Sequence, residues 1–220
     1  MTFRVLIAGG TGQVGSAVVR ALLDCAECKE VVAVVRKESS LDSRVRQVVL
    51  DSAAATFEAD VTKLAKSCVE LGDAVYGVSC VGLGKGTASW SEEDLTKLEV
   101  GVVGAFARGC RAGGIERFGL LSAAGSTPKS RIKYVRVMGL KEDAVKAVGF
   151  PQLAIFRPGI IAGNVHTPGY VSVLGRLIPG SYGTIEQDVI GRAFVRELSR
   201  SAPAGVTVLE NRAMKERARS

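Results

Sequence analysis

Gly9-Gly10-Thr11-Gly12-Gln13-Val14-Gly15 is the stretch of this chain whose residue types and spacing most directly define a chemistry. Glycines at 9, 12 and 15 allow a tight turn, a close backbone approach to a pyrophosphate, and close packing of a helix on the strand before it. An aliphatic run, Phe3 to Ala8, precedes the loop and an apolar helical stretch, Ala17 to Leu23, follows it. That strand–turn–helix setting makes the pattern a dinucleotide-binding signature, with the helix N-terminus supplying amide hydrogens and positive dipole to a phosphate. Thr11, Gln13 and Val14 are assigned to the cofactor together with the three glycines. A purely structural turn with no ligand is the competing reading.

About 20 residues beyond such a loop, an NAD-binding chain usually presents an acid to the ribose hydroxyls. Here Arg36 and Lys37 stand in that place. A guanidinium can grip a 2′-phosphate through paired, charge-assisted hydrogen bonds, with Ser39 and Ser40 as neighbouring donors, so NADP(H) is favoured over NAD(H). Asp51, after the third strand, is a candidate acceptor for the adenine amine, or equally a surface turn carboxylate.

Cys25 and Cys28 form the other short pattern, C-x-x-C, but no second pair follows and His166 is the sole histidine. A four-ligand zinc site would have to be drawn from distant residues, so no metal is expected. Five scattered cysteines are no disulfide framework; they point to a reducing compartment, cytoplasmic or mitochondrial, with the thiols packed as small hydrophobes. Redox chemistry at the C-x-x-C pair is the sharper alternative.

The frame that must hold these residues is legible in the alternation of strand-like and helical runs. Strands are expected at Phe3 to Ala8, Glu30 to Val35, Gln47 to Leu50, Ala74 to Ser79, Arg117 to Leu121, Gln152 to Phe156 and Val206 to Leu209. Helices are clearest at Gly12 to Leu23, Asp94 to Ala112 and Arg131 to Val148. Strict alternation implies βαβ units and a doubly wound parallel sheet, an α/β Rossmann fold. The 220 residues suit one hydrophobic core, hence one domain over 1–220. Gly and Pro thicken after Arg157, which suggests a small C-terminal substrate lobe or lid over 157–204.

Apolar residues at 47% and charged residues at 23% exclude disordered, collagen-like and coiled-coil classes. No uncharged apolar run approaches the roughly 18 residues of a membrane span, and the first strand begins too near Met1 to leave room for a presequence within this chain. The net charge of +7 is uneven: nine Lys/Arg against three acids lie between Arg108 and Lys146. Aromatics are only 5% and show no stacking-platform spacing, so solvated helix faces explain the charge better than nucleic acid does.

Val5-Leu6-Ile7-Ala8 with the glycine loop resembles the opening of the atypical short-chain dehydrogenases/reductases. Three later stretches narrow the resemblance to the branch of the human Tat-interactive, oxidoreductase-like protein. They are Cys80-Val81-Gly82 with Gly86, Leu120-Leu121-Ser122 through Tyr134, and Phe156-Arg157-Pro158-Gly159; Val208-Leu209-Glu210-Asn211 is similar to that branch's end. The resemblance implies NADPH along the strand ends, Cys80 to Gly82 beside it, and Pro158 and Gly159 near the nicotinamide. It further implies Tyr134 as proton donor, paired with a lysine four residues on, and Ser122 as the carbonyl anchor.

Position 138, however, is Met, and a thioether offers neither charge nor a strong hydrogen bond. Lys141 lies two turns from Tyr134, roughly 10 Å along a helix, too far to stand in for that lysine. Position 123, where the branch commonly has a second serine, is Ala. Losing the group that tunes a general acid removes about 10²- to 10⁴-fold of rate. The sequence therefore reads as an NADP(H)-binding oxidoreductase-like protein of weak or lost activity. The alternative is a non-enzymatic, NADPH-stabilised structural or accessory subunit that meets a protein partner in a larger assembly. In that case Tyr134 is a buried helix tyrosine.

Overall fold

A computed structural model describes residues 2–83, 89–163, 180–201 and 203–219. Its centre is a seven-stranded, wholly parallel sheet. The strands are β1 (Phe3–Ala8), β2 (Cys28–Val35), β3 (Val45–Val49), β4 (Ala74–Ser79), β5 (Arg117–Leu121), β6 (Gln152–Arg157) and, after a separate pair, β9 (Gly205–Glu210). Their order is β3-β2-β1-β4-β5-β6-β9. This is the Rossmann order extended by one strand, and the expected doubly wound single domain is what the chain forms.

Side chains alternate across the sheet and build two cores, as strands covered on both faces require. Val5, Ile7, Val31 and Ala33 face the first, which is closed by α1 (Gln13–Leu23) and α6 (Gln187–Ser199) through Val18, Leu22, Ile190 and Phe194. Leu6, Val32, Phe118 and Ile155 face the second, closed by α2 (Phe57–Val69), α4 (Val103–Ala112) and α5 (Lys133–Lys146). The short α3 (Glu92–Thr96) runs through a π-helical turn, Lys97–Val102, into α4.

Within the span expected as a lobe, α6 carries core residues, so it belongs to the main layers rather than to a lid. The separate element there is a two-stranded parallel pair, β7 (Ile160–Ala162) with β8 (Thr184–Glu186). His166, the lobe residues 164–179, and Gly86 of the resemblance lie outside the described residues. A last helix, α7 (Asn211–Arg217), follows β9.

The chain runs outward from β1 through β2 to β3 on one side, then crosses back to β4 on the other side of β1. The sheet therefore has its switch point at the carboxyl ends of β1 and β4, where ligands of this architecture bind. Gly9 follows β1 and Cys80 follows β4, which places the glycine loop and the Cys80–Gly82 stretch side by side.

Candidate cofactor site

Gly9 has φ +80°, and a Cβ on it would lie 2.5 Å from both the Cys80 carbonyl carbon and the Val81 amide nitrogen. A Cβ on Gly15 would come within 2.0 Å of the Gly9 carbonyl oxygen. The turn thus needs hydrogen at both positions to bring α1 onto β1. Gly12 N donates to Gly9 O at 3.1 Å and closes the turn. Gly12 itself caps α1 in an extended conformation, with no side chain capping the helix and no acid in its first turn. The orphan amides of that turn are left for an anion.

In front of this turn lies a cleft of about 430 Å³. Gly9, Thr11 and Gly12 form one rim; Cys80, Val81, Gly82 and Leu83 form the wall from β4; Val34, Leu50, Phe57, Leu98 and Val102 supply apolar walls. Arg36 is the one charged residue among the described lining residues, and Trp90 also lines the cleft. Cys80 is buried, and burial pushes its thiol up to about 12, so it lines the cleft as an un-ionised group.

Lys37, Asp51, Gln13, Val14, Gly15, Pro158 and Gly159, expected at the cofactor, stand apart from that lining. Lys37 is exposed beyond it. Asp51 is also exposed, and its Oδ1 accepts from the Ala53 amide at 2.9 Å, which is the turn role weighed against the adenine role. Ser39 Oγ donates to Gln47 Oε1 at 2.8 Å while Gln47 Nε2 donates back to Ser39 O, so this hydroxyl is tied to β3. Gln13 is half-buried, and Val14 and Gly15 are buried in the α1–β1 packing.

Tyr134, Met138 and Lys141 follow one face of α5 at helical spacing. Met138 is 1% exposed and packs with Leu95 and Val137 in a small apolar cluster that Leu83, Val100, Ala123 and Tyr134 border. Burial pushes the Tyr134 phenol well above its usual value, and the nearby Glu99 carboxylate pushes it further in the same direction. Both effects oppose what a proton donor assisted by a lysine would need. Lys141 does not serve the tyrosine: its Nζ lies 2.9 Å from Glu99 Oε2, with the two side chains 2% and 1% exposed.

Ser122, expected as the carbonyl anchor, lies in a buried polar network. Its hydroxyl donates to Glu142 Oε1 at 2.6 Å, and that buried carboxylate also accepts from Arg157 Nε at 2.8 Å and Nη2 at 2.6 Å. A serine has one hydroxyl proton, and here it is spent inside a buried ion-pair network that joins β5, α5 and β6. Pro158 O accepts from Ala124 N, and Gly159 N donates to Asn211 Oδ1 at 2.9 Å. Buried Asn211 also donates to Gly183 O, pinning the Pro158-Gly159 turn to the start of β8.

The C-x-x-C residues sit away from this site. Cys28 N donates to Cys25 O at 3.0 Å in a tight turn, and burial raises both thiols, Cys28 to about 11. Neither is poised as a thiolate.

Sequence reasoning passed over Glu99, the partner of Lys141. It reads as one more charge in an acidic helical stretch, although it falls at helical spacing between Leu95 and Val103, both buried. Asn211 was present in a quoted motif, but its role needed the fold.

Comparison with known proteins agrees with the architecture. The profile of a family described as NAD(P)H-binding matches residues 9–200. A curated relative, "Protein fmp52, mitochondrial" of Emericella nidulans, is 28% identical over 217 residues, covering 91% of each chain. Its counterpart from Aspergillus clavatus is 29% identical over 216 residues, again with 91% of each covered. Among solved structures, MoeE5 in complex with UDP-glucose and NAD superposes with a TM-score of 0.70 at 18% identity, covering 94% of this chain and 76% of that one. WbmH of Bordetella bronchiseptica in complex with NAD+ gives 0.69 at 19%, covering 98% and 78%.

Proposed function

The chain belongs to this NAD(P)H-binding family, and on that premise we propose that it is an NADP(H)-binding, oxidoreductase-like protein whose reductive chemistry is weak or lost. The carrying observation is the cleft itself: an uncapped helix N-terminus behind three glycines, with Arg36 as the sole charge on the described lining. Amides of the first turn of α1 hold the pyrophosphate, Val34, Leu50, Phe57 and Val102 enclose the adenine, and Arg36 takes the 2′-phosphate with Lys37 as an outer cation. Cys80 to Gly82 and Pro158-Gly159 flank the nicotinamide half, which would supply or accept a hydride. Tyr134 is the remaining candidate proton donor, with neither a lysine at 138 nor a free Ser122 hydroxyl beside it.

At the level of branch, the motifs that resemble the Tat-interactive branch and the fungal fmp52 relatives both support an atypical short-chain dehydrogenase/reductase. The names of those relatives favour the mitochondrion over the cytoplasm. A second reading rests on the closed packing around Met138: the cofactor acts as a stabilising ligand in a subunit that works through a protein partner. Binding to the native state alone adds stability without turnover.

Trp90 is the one tryptophan of the chain and lines the cleft. NADPH titration is expected to quench its emission saturably; unchanged emission together with no calorimetric heat would sink the cofactor assignment. Arg36→Asp is expected to weaken NADPH by roughly 10- to 100-fold, the worth of a charged hydrogen bond, while NADH weakens little or gains. Parallel titrations of both cofactors decide this, and equal losses would make Arg36 a bystander to cofactor choice.

A further inference from the structure

We propose that Glu99, set in place by its buried ion pair with Lys141, is a positioning residue that holds the Cys80–Leu83 wall of the cofactor cleft through the Leu83 amide. The proposal rests on the cofactor reading above and assigns two residues that touch neither the glycine loop nor Arg36. Glu99 divides its carboxylate between two elements. Oε2 accepts from Lys141 Nζ on α5 at 2.9 Å, and Oε1 accepts from the Leu83 backbone amide at 3.0 Å. The same oxygen lies over bare backbone at Gly82, where a Cβ would stand 3.4 Å away. The carboxylate is therefore the bridge between the helix and the cleft wall.

Three features make this more than packing. A buried ion pair costs desolvation and is weak support for stability in itself, so its presence calls for a positional role. Glu99 sits buried in the π-helical turn Lys97–Val102, a local departure from the α-helix that is common at functional sites. The Lys141 ammonium is near enough to the Cys80 thiol of the same wall to oppose the effect of burial on it. Without Glu99, Leu83 N loses its acceptor, and the wall samples positions that leave the cleft misshapen.

Two double variants of the full chain test this. Glu99→Leu/Lys141→Met removes both charges and the acceptor for Leu83 N, and apolar replacement of a buried pair is often neutral for stability. Glu99→Gln/Lys141→Met removes the same charges but keeps an amide oxygen for Leu83 N. The first is expected to melt near wild type yet bind NADPH about tenfold more weakly, as when a wall is correctly placed about a tenth of the time. The second should stay within about threefold of wild type. In nucleotide-free protein, hydrogen exchange at the Leu83 amide should be fast in the Leu/Met variant and slow in the Gln/Met variant. Equal NADPH affinities, or equal exchange at Leu83, would overturn this role of Glu99. A wild-type chain that binds no NADPH would defeat the cofactor reading instead, and the exchange comparison would still decide whether Glu99 holds the wall.

Discussion

Gly9→Ala is expected to lower the melting temperature by roughly 10 °C and to weaken NADPH by at least about a hundredfold. Two penalties act at one atom. The residue sits at φ +80°, where a Cβ meets its own backbone at a cost of about 1–2 kcal/mol. The added carbon also lands 2.5 Å from the Cys80–Val81 peptide, so one loop must move off the other, an overpacking cost of about 1–3 kcal/mol. For a chain of this length each kcal/mol is worth about 2–4 °C. Because the displaced peptide belongs to the cleft wall, the anion turn and the wall separate together, and a misplacement of about 1 Å can cost on the order of 10²-fold. Gly12→Ala is the contrast. Its Cβ would stand 3.4 Å from Gly9 O, an ordinary contact, so melting should hold while NADPH alone suffers from the methyl group at the pyrophosphate. Thermal melts with and without NADPH separate the two variants. A Gly9→Ala chain that melts like wild type would mean that the turn relaxes and that the close approach of β1 and β4 does not shape the site.

The features readable in advance were those carried by local pattern. β1, β4 and β5 lie where their aliphatic runs placed them, residue for residue, because strands buried on both faces have no polar alternation to blur their ends. β2 starts two residues early, at Cys28, since its first residues run half exposed and look like loop. The glycine loop was legible for the same local reason. What could not be read were partnerships across distance. Ser122 and Glu142 are 20 residues apart, and Glu99 and Lys141 are 42 apart. A serine after the fifth strand looks like a substrate anchor until the carboxylate that takes its proton is seen. Lys141 looked like a lysine out of place for Tyr134, and the structure shows it occupied elsewhere. The α6 helix was absorbed into an expected lid because it follows a Gly/Pro-rich stretch, yet Ile190 and Phe194 put it in the core.

Met138→Lys should destabilise the chain by about 3–5 kcal/mol at pH 7 and bring no NADPH oxidation. The first figure is the cost of a buried charge without a dedicated partner; the thioether it replaces is 1% exposed among Leu95, Val137 and the side chains bordering them. Glu99, the carboxylate near Tyr134, is already held by Lys141 and Leu83 N. The pH dependence isolates the cause. A lysine buried in apolar surroundings has its folded-state pKa pushed below the unfolded value of about 10.4, so between the two the unfolded chain binds the extra proton. Stability then rises with pH across that window, and the deficit relative to wild type should shrink steadily from pH 7 towards pH 10. Simple overpacking would leave a deficit that does not change with pH. Denaturant melts at pH 7, 8.5 and 9.5 on wild type and variant, with NADPH consumption followed against small carbonyls, give both readouts. A variant as stable as wild type that gains turnover would show that the pocket opens for an ammonium. Tyr134 would then be a proton donor silenced only by its neighbour, and the protein a reductase one residue from function.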